Sequence, residues 1–306
     1  MAREPGTTTM DSCLDWWQDE ALRWFKGNLH THTDQSDGER TPAEACAWFR
    51  EQGYNFVHLT DHDVVTIEDV VVPGRFIAIA GCEVEAGRNE LGQSYHLVGL
   101  GLEEPVEEEG RQDVQTAIDM MREAGSQVLI AHPYWSGHTV RDLARLRGHL
   151  GIEVWNTLCE LLNGKGHSGV VWDDLLARGR RLVGTAVDDA HWQLPDYGQG
   201  WVVVRAAKLR ADEVLDAVCR GHFYSSNGPA IHDLRVDGRS IWVQCEEVAA
   251  INFVSESAHG QCLRVSGQLV TEGEATLPEH ATYVRVECID NHGRRAWTNP
   301  VFFDSL

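Results

Sequence analysis

Between about residues 27 and 228, short apolar runs alternate with amphipathic stretches of helical length, and no other feature constrains the fold of this chain as strongly. The alternation is the pattern of β/α units, in which helices cover a sheet of largely buried strands. The strands expected are "GNLHTHT", "NFVHLTD", "FIAIAGCEVEA", "YHLVGL", "QVLIAHP", "GIEVWN", "RLVGTAVDD", "WVVVRA" and "HFYSS". Between them "TPAEACAWFREQG" reads as a helix capped by Thr41, with Pro42 at its first position, Glu44 completing a capping box and Gly53 ending it. "DVQTAIDMMREAG", "SGVVWDDLLARG" and "RADEVLDAVCRG" repeat that format and close on glycine. Periodicity alone leaves two arrangements open, a closed barrel and an open doubly wound sheet.

After Gly228 the helical period disappears. "AIHDLRVDGRSIWVQC", "VAAINFVSES", "QCLRVSGQLV" and "TYVRVECIDNHGRRAWTNPVFF" read as strands joined by turns, with Asp237-Gly238 a hairpin candidate. In "YVRVECI" the alternation puts Val284, Val286 and Cys288 on one face and Tyr283, Arg285, Glu287 and Ile289 on the other. The organisation expected is therefore an α/β domain over residues 1–228 and a small all-β accessory domain over residues 229–306. "FYSSNGPAI" softens the boundary by leading one directly into the other.

The chain has 306 residues and a formal charge of −21, from 26 Lys and Arg against 47 Asp and Glu. Such a surface repels phosphate backbones and disfavours a nucleic-acid polymer as partner, while a small phosphorylated substrate stays open because bound cations invert the local potential. The eight cysteines are dispersed without a C-x-x-C pair, which fits a reducing compartment. The first 20 residues carry no apolar leader core, and no apolar run approaches about 20 residues. A cytoplasmic protein without membrane partners is expected; the oligomeric state is not legible.

Chemistry-bearing residues recur near the predicted strand ends. His30 and His32 lie two apart on one strand and share a face, and Asp37 follows in a loop able to fold back over them. "HLTDHD" supplies His62, "AGCE" Glu83, "YHLVG" His96, "LIAHP" His132, and "TAVDDAH" Asp189 and His191. Ligands collect at the carboxyl ends of strands in β/α folds. Imidazole and carboxylate without thiolate suit Mn²⁺, Fe²⁺ or Zn²⁺, and nine such groups exceed what one tetrahedral ion uses, so two or three divalent ions are expected.

"HTHTDQSDG", "LTDHD", "GCE", "AHP" and "DDAH" resemble the ordered metal-binding motifs of the PHP (polymerase and histidinol phosphatase) domain. "GNLHTHT", "GIEVWN", "HFYSSNGPAI" and "AWTNPVFF" resemble more specifically its CehA/McbA-like metallohydrolase branch. The resemblance implies a distorted (β/α)7 TIM-like barrel with a metal cluster at the carboxyl ends of its strands. It also implies a ligand assignment: His30, His32, Glu83 and Asp189 on a first ion, Glu83 bridging to a second held by His96 and His132, and Asp37, His62 and His191 on a third. Position 37 is histidine in some trinuclear members.

Such a cluster suits ester hydrolysis by a metal-activated hydroxide. The leading expectation is a metal-dependent phosphoesterase acting on small-molecule monoesters or diesters. The alternatives are a CehA-like carbamate or carboxylic-ester hydrolase and a non-catalytic, metal-stabilised binding module. Besides Asp189 and His191, the candidates around the reaction are Asp61, for a turn or proton transfer, His138, for an anionic group or leaving-group protonation, and Asn156, for positioning water or substrate. Glu153 reads as structural because its strand parity opposes that of Asn156. Arg88 and Asn89 could cover the mouth, Lys165 and His167 could act as substrate-loop donors, and Trp135 and Trp192 could form an aromatic wall; His222, Ser225 and Ser226 suit the domain junction.

Overall fold

The computed structural model describes residues 14–303, so Cys13 and most of the amino-terminal stretch read above lie outside the described residues. The first half of the chain runs through β1 (Arg23–Asn28), α1 (Pro42–Glu51), β2 (Phe56–Leu59), β3 (Val71–Val72), β4 (Phe76–Ala86), β5 (Tyr95–Leu100), α2 (Val114–Glu123) and β6 (Gln127–Ile130). It continues through α3 (Val140–Leu143), β7 (Gly151–Asn156), α4 (Thr157–Asn163), α5 (Gly169–Leu176), β8 (Val183–Val187), β9 (Trp201–Ala206), α6 (Ala211–Arg220) and β10 (Phe223–Ser226). Residues after 228 add β11 (Ile231–Asp237), β12 (Ser240–Val248), β13 (Ala250–Val254), β14 (Gln261–Leu263), β15 (Val270–Thr276), β16 (Tyr283–Ile289), β17 (Arg295–Thr298) and β18 (Val301–Phe302).

Local chemistry accounts for the clearest helix. The Thr41 hydroxyl accepts the Glu44 amide hydrogen while the Glu44 carboxylate accepts the Thr41 amide, and Ala45, Cys46 and Phe49 form the buried stripe of α1. Asp113 caps α2 through the Thr116 amide, and Gly221, at φ +77°, closes α6 in the left-handed conformation. The β1 strand is shorter than the apolar run suggested: it stops at Asn28, and His30 and His32 follow it outside the strand, beyond a bend at Leu29. Helix α4 has no counterpart in the expected pattern; Asn156 starts it by accepting the Cys159 amide.

The strands order as β1-β2-β4-β5-β6-β7-β8, mostly parallel. Past their ends, chain after β8 meets chain after β1: the Asp189 amide donates to His30, the His32 amide donates to Ala190, and Thr31 bridges Ala190 in parallel. The exception is β5, antiparallel to both β4 and β6. Val84, Leu97, Ile130, Ile152 and Val154 pack outward on α2 and α5, while Phe56, Ile77, Ile79, Val98, Leu129 and Val183 form a separate apolar cluster.

On the other side of β1 the sheet continues through β9 and β10 into β17, β16, β13 and β14, so residues beyond 228 extend the same hydrogen-bonded sheet. A three-stranded sheet, β11-β12-β15, covers the inner face of that extension around Leu234, Val243, Ile251, Val286 and Cys288. The opposite face of β16 packs on the α/β part: Arg285 reaches Asp173 of α5 through two 2.7 Å hydrogen bonds.

Candidate metal centre

The ends of these strands gather the titratable groups into one place. The His30 Nε2, His32 Nε2, Glu83 Oε2 and Asp189 Oδ1 atoms form one tight group, with each imidazole 3.2 Å from both carboxylates. His62, Glu83 and His96 form a second, with His96 Nδ1 at 2.9 Å and His132 Nε2 at 3.3 Å from Glu83 Oε1. His32, Asp37, His62 and His191 form a third; Asp37 Oδ1 lies 3.3 Å from both His32 Nδ1 and His191 Nε2. Glu83 presents one oxygen to the first group and the other to His96 and His132.

One position departs from the strand-end rule. His96 is the second residue of β5, yet it reaches the cluster because β5 runs against its neighbours and brings its amino-terminal end to the rim, opposite Glu85. Two positions of the cluster have left-handed backbone, His132 at φ +28° and Asp189 at φ +57°. A non-glycine residue persists there only where its surroundings hold it. Glu153 Oε2 accepts the His132 amide at 2.8 Å, and the Asp189 amide is fixed on the His30 carbonyl.

The electrostatics are those of a buried mixed cluster. Burial works against a charge on His30, but Asp189, Glu83 and Glu153 outweigh it and hold its pKa well above the usual imidazole value. Burial alone would raise Glu83; His30, His96 and His132 overcome it and hold the carboxyl well below its ordinary range. Asp189 Oδ1 is buried and satisfies no hydrogen bond, although it faces two imidazole nitrogens. A cation supplies what such an orphaned acceptor lacks, and a set of imidazole and carboxylate without thiolate fits a borderline or hard divalent ion.

Around this set sits a layer of orienting partners. Glu153 binds His30 Nδ1 at 2.6 Å, leaving Nε2 for the cluster, and Ser136 Oγ lies 2.9 Å from His132 Nδ1. The alternation that opposed Glu153 to Asn156 is broken by a register shift between Glu153 and Trp155, so the Asn156 amide donates to both Glu153 (2.9 Å) and Asp189 (3.0 Å). The sequence reads Glu153 as structural and places Ser136 only within the Tyr134–His138 stretch that could line the opening. The H-x-x-x-S spacing was available for Ser136, whereas nothing in the chain announces the bulge. Asp61 is buried and accepts from the Thr33 amide, Thr33 Oγ, Ser36 Oγ and Thr66 Oγ, fixing the loop that carries Asp37.

The remaining candidates separate from the cluster. His138 is stacked on Tyr95, with ring centroids 4.1 Å apart, and its Nδ1 lies 2.9 Å from the Asn89 amide nitrogen; burial pushes its pKa down to about 4. It is a neutral imidazole at neutral pH. Asn89 ties its own loop through the Leu91 and Gln93 amides, and Arg88 bonds the Gly92 carbonyl. Trp135 stands edge-on to His132 at 5.1 Å and is half-exposed beside Tyr134, while Trp192 is buried against Trp48, Phe49 and Tyr197 and donates to the His32 carbonyl. His167 lies edge-on to Trp155 and Trp297, and Lys165 sits 5.6 Å from the Tyr134 ring. At the junction, His222 stacks on Trp16, Ser225 donates to the Gly184 carbonyl and Ser226 to that of Pro229.

No family model and no curated protein matches the chain. Among solved structures it is similar to a two-domain protein from Bacteroides vulgatus containing a predicted PHP-like metal-dependent phosphoesterase, at 14% identity over 95% of each chain with a TM-score of 0.49. A candidate metal-dependent phosphoesterase from Bifidobacterium adolescentis is 15% identical over 54% of this chain and 87% of that one, with a TM-score of 0.36. An amidohydrolase from Chromobacterium violaceum, solved with sulfate and no metal, is 18% identical over 56% of this chain and 89% of that one, with a TM-score of 0.41. Likeness at this level leaves the chemistry to be read from the chain's own residues.

Proposed function

We propose that this chain is a metal-dependent hydrolase of the PHP type, a distorted (β/α)7 barrel over residues 1–228 with a β accessory unit over 229–306, acting on small-molecule phosphate monoesters or diesters. The observation that carries the reading is the overlap of three candidate ligand groups through Glu83, His32 and His62, buried at His30, His32, Glu83 and Asp189 and opening to solvent at Asp37 and His62. In this reading His30, His32, Glu83 and Asp189 would hold one divalent ion, Glu83, His96 and His132 a second, and Asp37, His62 and His191 a third, as Mn²⁺, Fe²⁺ or Zn²⁺. When bound, such ions lower the pKa of water and stabilise charge on the oxygens of the ester.

The chain's own groups set up that chemistry. Glu153 fixes the His30 tautomer, Asn156 holds Asp189, and Asp61 holds the loop of Asp37, so these three act as positioning residues. His138 braces the loop of Asn89 beside the mouth. Free cysteines among the described residues (Cys46, Cys82, Cys159, Cys219, Cys245, Cys262 and Cys288) support a reducing, cytoplasmic setting, and no described helix is long and apolar enough to cross a membrane.

One feature favours a second reading, hydrolysis of a carbamate or carboxylic ester. Half-exposed Trp135 stands against His132, with exposed Tyr134 beside it, an apolar surface suited to an organic leaving group. A panel of phosphomonoesters, linear and cyclic phosphodiesters, aryl carbamates and aryl esters, run on enzyme reconstituted with each metal, separates the two. Phosphoester turnover above all others supports the proposal. Carbamate or ester turnover 100-fold above it replaces it with the second reading, and no turnover with full metal content leaves a binding module.

A further inference from the structure

A cavity of about 470 Å³ opens where the α/β part meets the β16–β17 turn, lined by Trp155, Thr157, His167, Trp201, Asn227 and Arg294 among others. None of the nine cluster ligands lines it. Strand β7 separates the two places: Asn156 turns its amide to Asp189, while its neighbours Trp155 and Thr157 turn to the cavity. The volume falls in the range of small-molecule sites.

Its walls are of two kinds. Two indoles and an imidazole provide flat surface, one face of Trp201 carrying the Lys26 ammonium at 3.8 Å; His167 stands edge-on to Trp155 at 5.1 Å, and burial lowers its pKa. Across from them the turn contributes Arg294 and Arg295. Asp290 takes only the Nε of Arg294, at 2.7 Å, which leaves the terminal nitrogens of a half-exposed guanidinium. Of the two carboxylates nearby, Glu160 lines the cavity and accepts the Gly166 amide through one oxygen, and Glu287 is paired with Arg285 and Arg295.

Glycines hold these walls apart. A Cβ on Gly200 would lie 2.9 Å from the Trp155 ring and 2.3 Å from the Val187 carbonyl oxygen, and a Cβ on Gly228 would lie 2.5 Å from Arg294 Cβ. Both wall residues keep their places only because those two positions lack a side chain.

We propose that this cavity is a second ligand site, separate from the metal centre, for a planar aromatic carboxylate whose ring lies against Trp155, Trp201 and His167 and whose charge meets Arg294. The geometry pairs a ring with indole faces and a carboxylate with guanidinium N–H donors. The test is calorimetric titration of the metal-loaded full chain with indole-3-acetate, with tryptamine as the cationic control and acetate as the ringless one. Saturable one-to-one binding of indole-3-acetate is expected, with tryptamine and acetate at least tenfold weaker. Arg294→Gln, at a half-exposed position, should weaken it about tenfold, and Trp155→Leu, checked for native circular dichroism, should weaken it as much. Glu83→Gln should leave the affinity within twofold. Absence of saturable binding, tighter tryptamine binding, or affinity untouched by Arg294→Gln overturns the site. Loss of binding in Glu83→Gln overturns it too, by placing the probe at the metal centre, and that result leaves the hydrolase reading standing.

Discussion

At the scale of single residues the cluster divides into groups that would hold ions and groups that hold those groups still. Glu83 belongs to the first kind, since its two oxygens face different imidazoles. Glu83→Gln should therefore lower metal content and kcat together, read by elemental analysis and steady-state kinetics on the same preparation; full stoichiometry with near-normal kcat would take Glu83 out of the bridge. Glu153 belongs to the second kind, bound to His30 Nδ1 and the His132 amide. Glu153→Gln should weaken metal affinity by roughly 10–100-fold, the usual effect of losing an orienting partner, while kcat recovers when metal is raised to saturation. Competition titration with a chromogenic chelator checks the affinity, and an unchanged value would return Glu153 to a purely structural role. The histidines, Asp37, Glu83 and Asp189 were legible because they recur at the edges of apolar runs. Glu153 was not, because a bulge alters strand parity without altering composition.

At the scale of elements, most strands from β2 to β10 and the helices α1, α2, α5 and α6 follow the apolar periodicity closely. Two departures have clear causes. β5 runs antiparallel, which periodicity does not encode, and α4 is too short for a helical period to stand out. In β16 the alternation holds, with Val284, Val286 and Cys288 in one apolar cluster, but its charged face is a docking face. Arg285 is buried over Trp172, bonded twice to Asp173 and once to Glu287. Burial works against the guanidinium's charge, and Asp173 and Glu287 outweigh it, holding its pKa above the ordinary value. Removing one partner of a buried pair strands the other charges, so Arg285→Met should cost on the order of 3 kcal/mol in urea unfolding without changing metal content. Loss of metal from the folded variant would show that the β tail takes part in the centre.

At the scale of the whole molecule, acid sensitivity should come partly from buried neutral histidines outside the cluster. His149 is fully buried with both ring nitrogens unpartnered, and burial together with Arg180 and Arg147 lowers its pKa to about 3. Above about pH 6.5 both folded and unfolded chains hold it neutral. As pH falls below that, the unfolded chain takes up a proton that the folded chain refuses, so this contribution to stability is lost progressively towards pH 3. The stability difference between the wild type and His149→Leu, from urea midpoints on metal-free protein, should shift in the variant's favour between pH 7.5 and pH 5; a difference independent of pH would contradict this. Whether residues scattered from His30 to His191 converge on one polynuclear centre is decided by anomalous diffraction from crystals reconstituted with Mn²⁺ or Zn²⁺. At least two anomalous peaks are expected, separated by about 3.5–4 Å, with Glu83 between them and one peak among His30, His32 and Asp189. A single isolated ion, or peaks away from these residues, would contradict it.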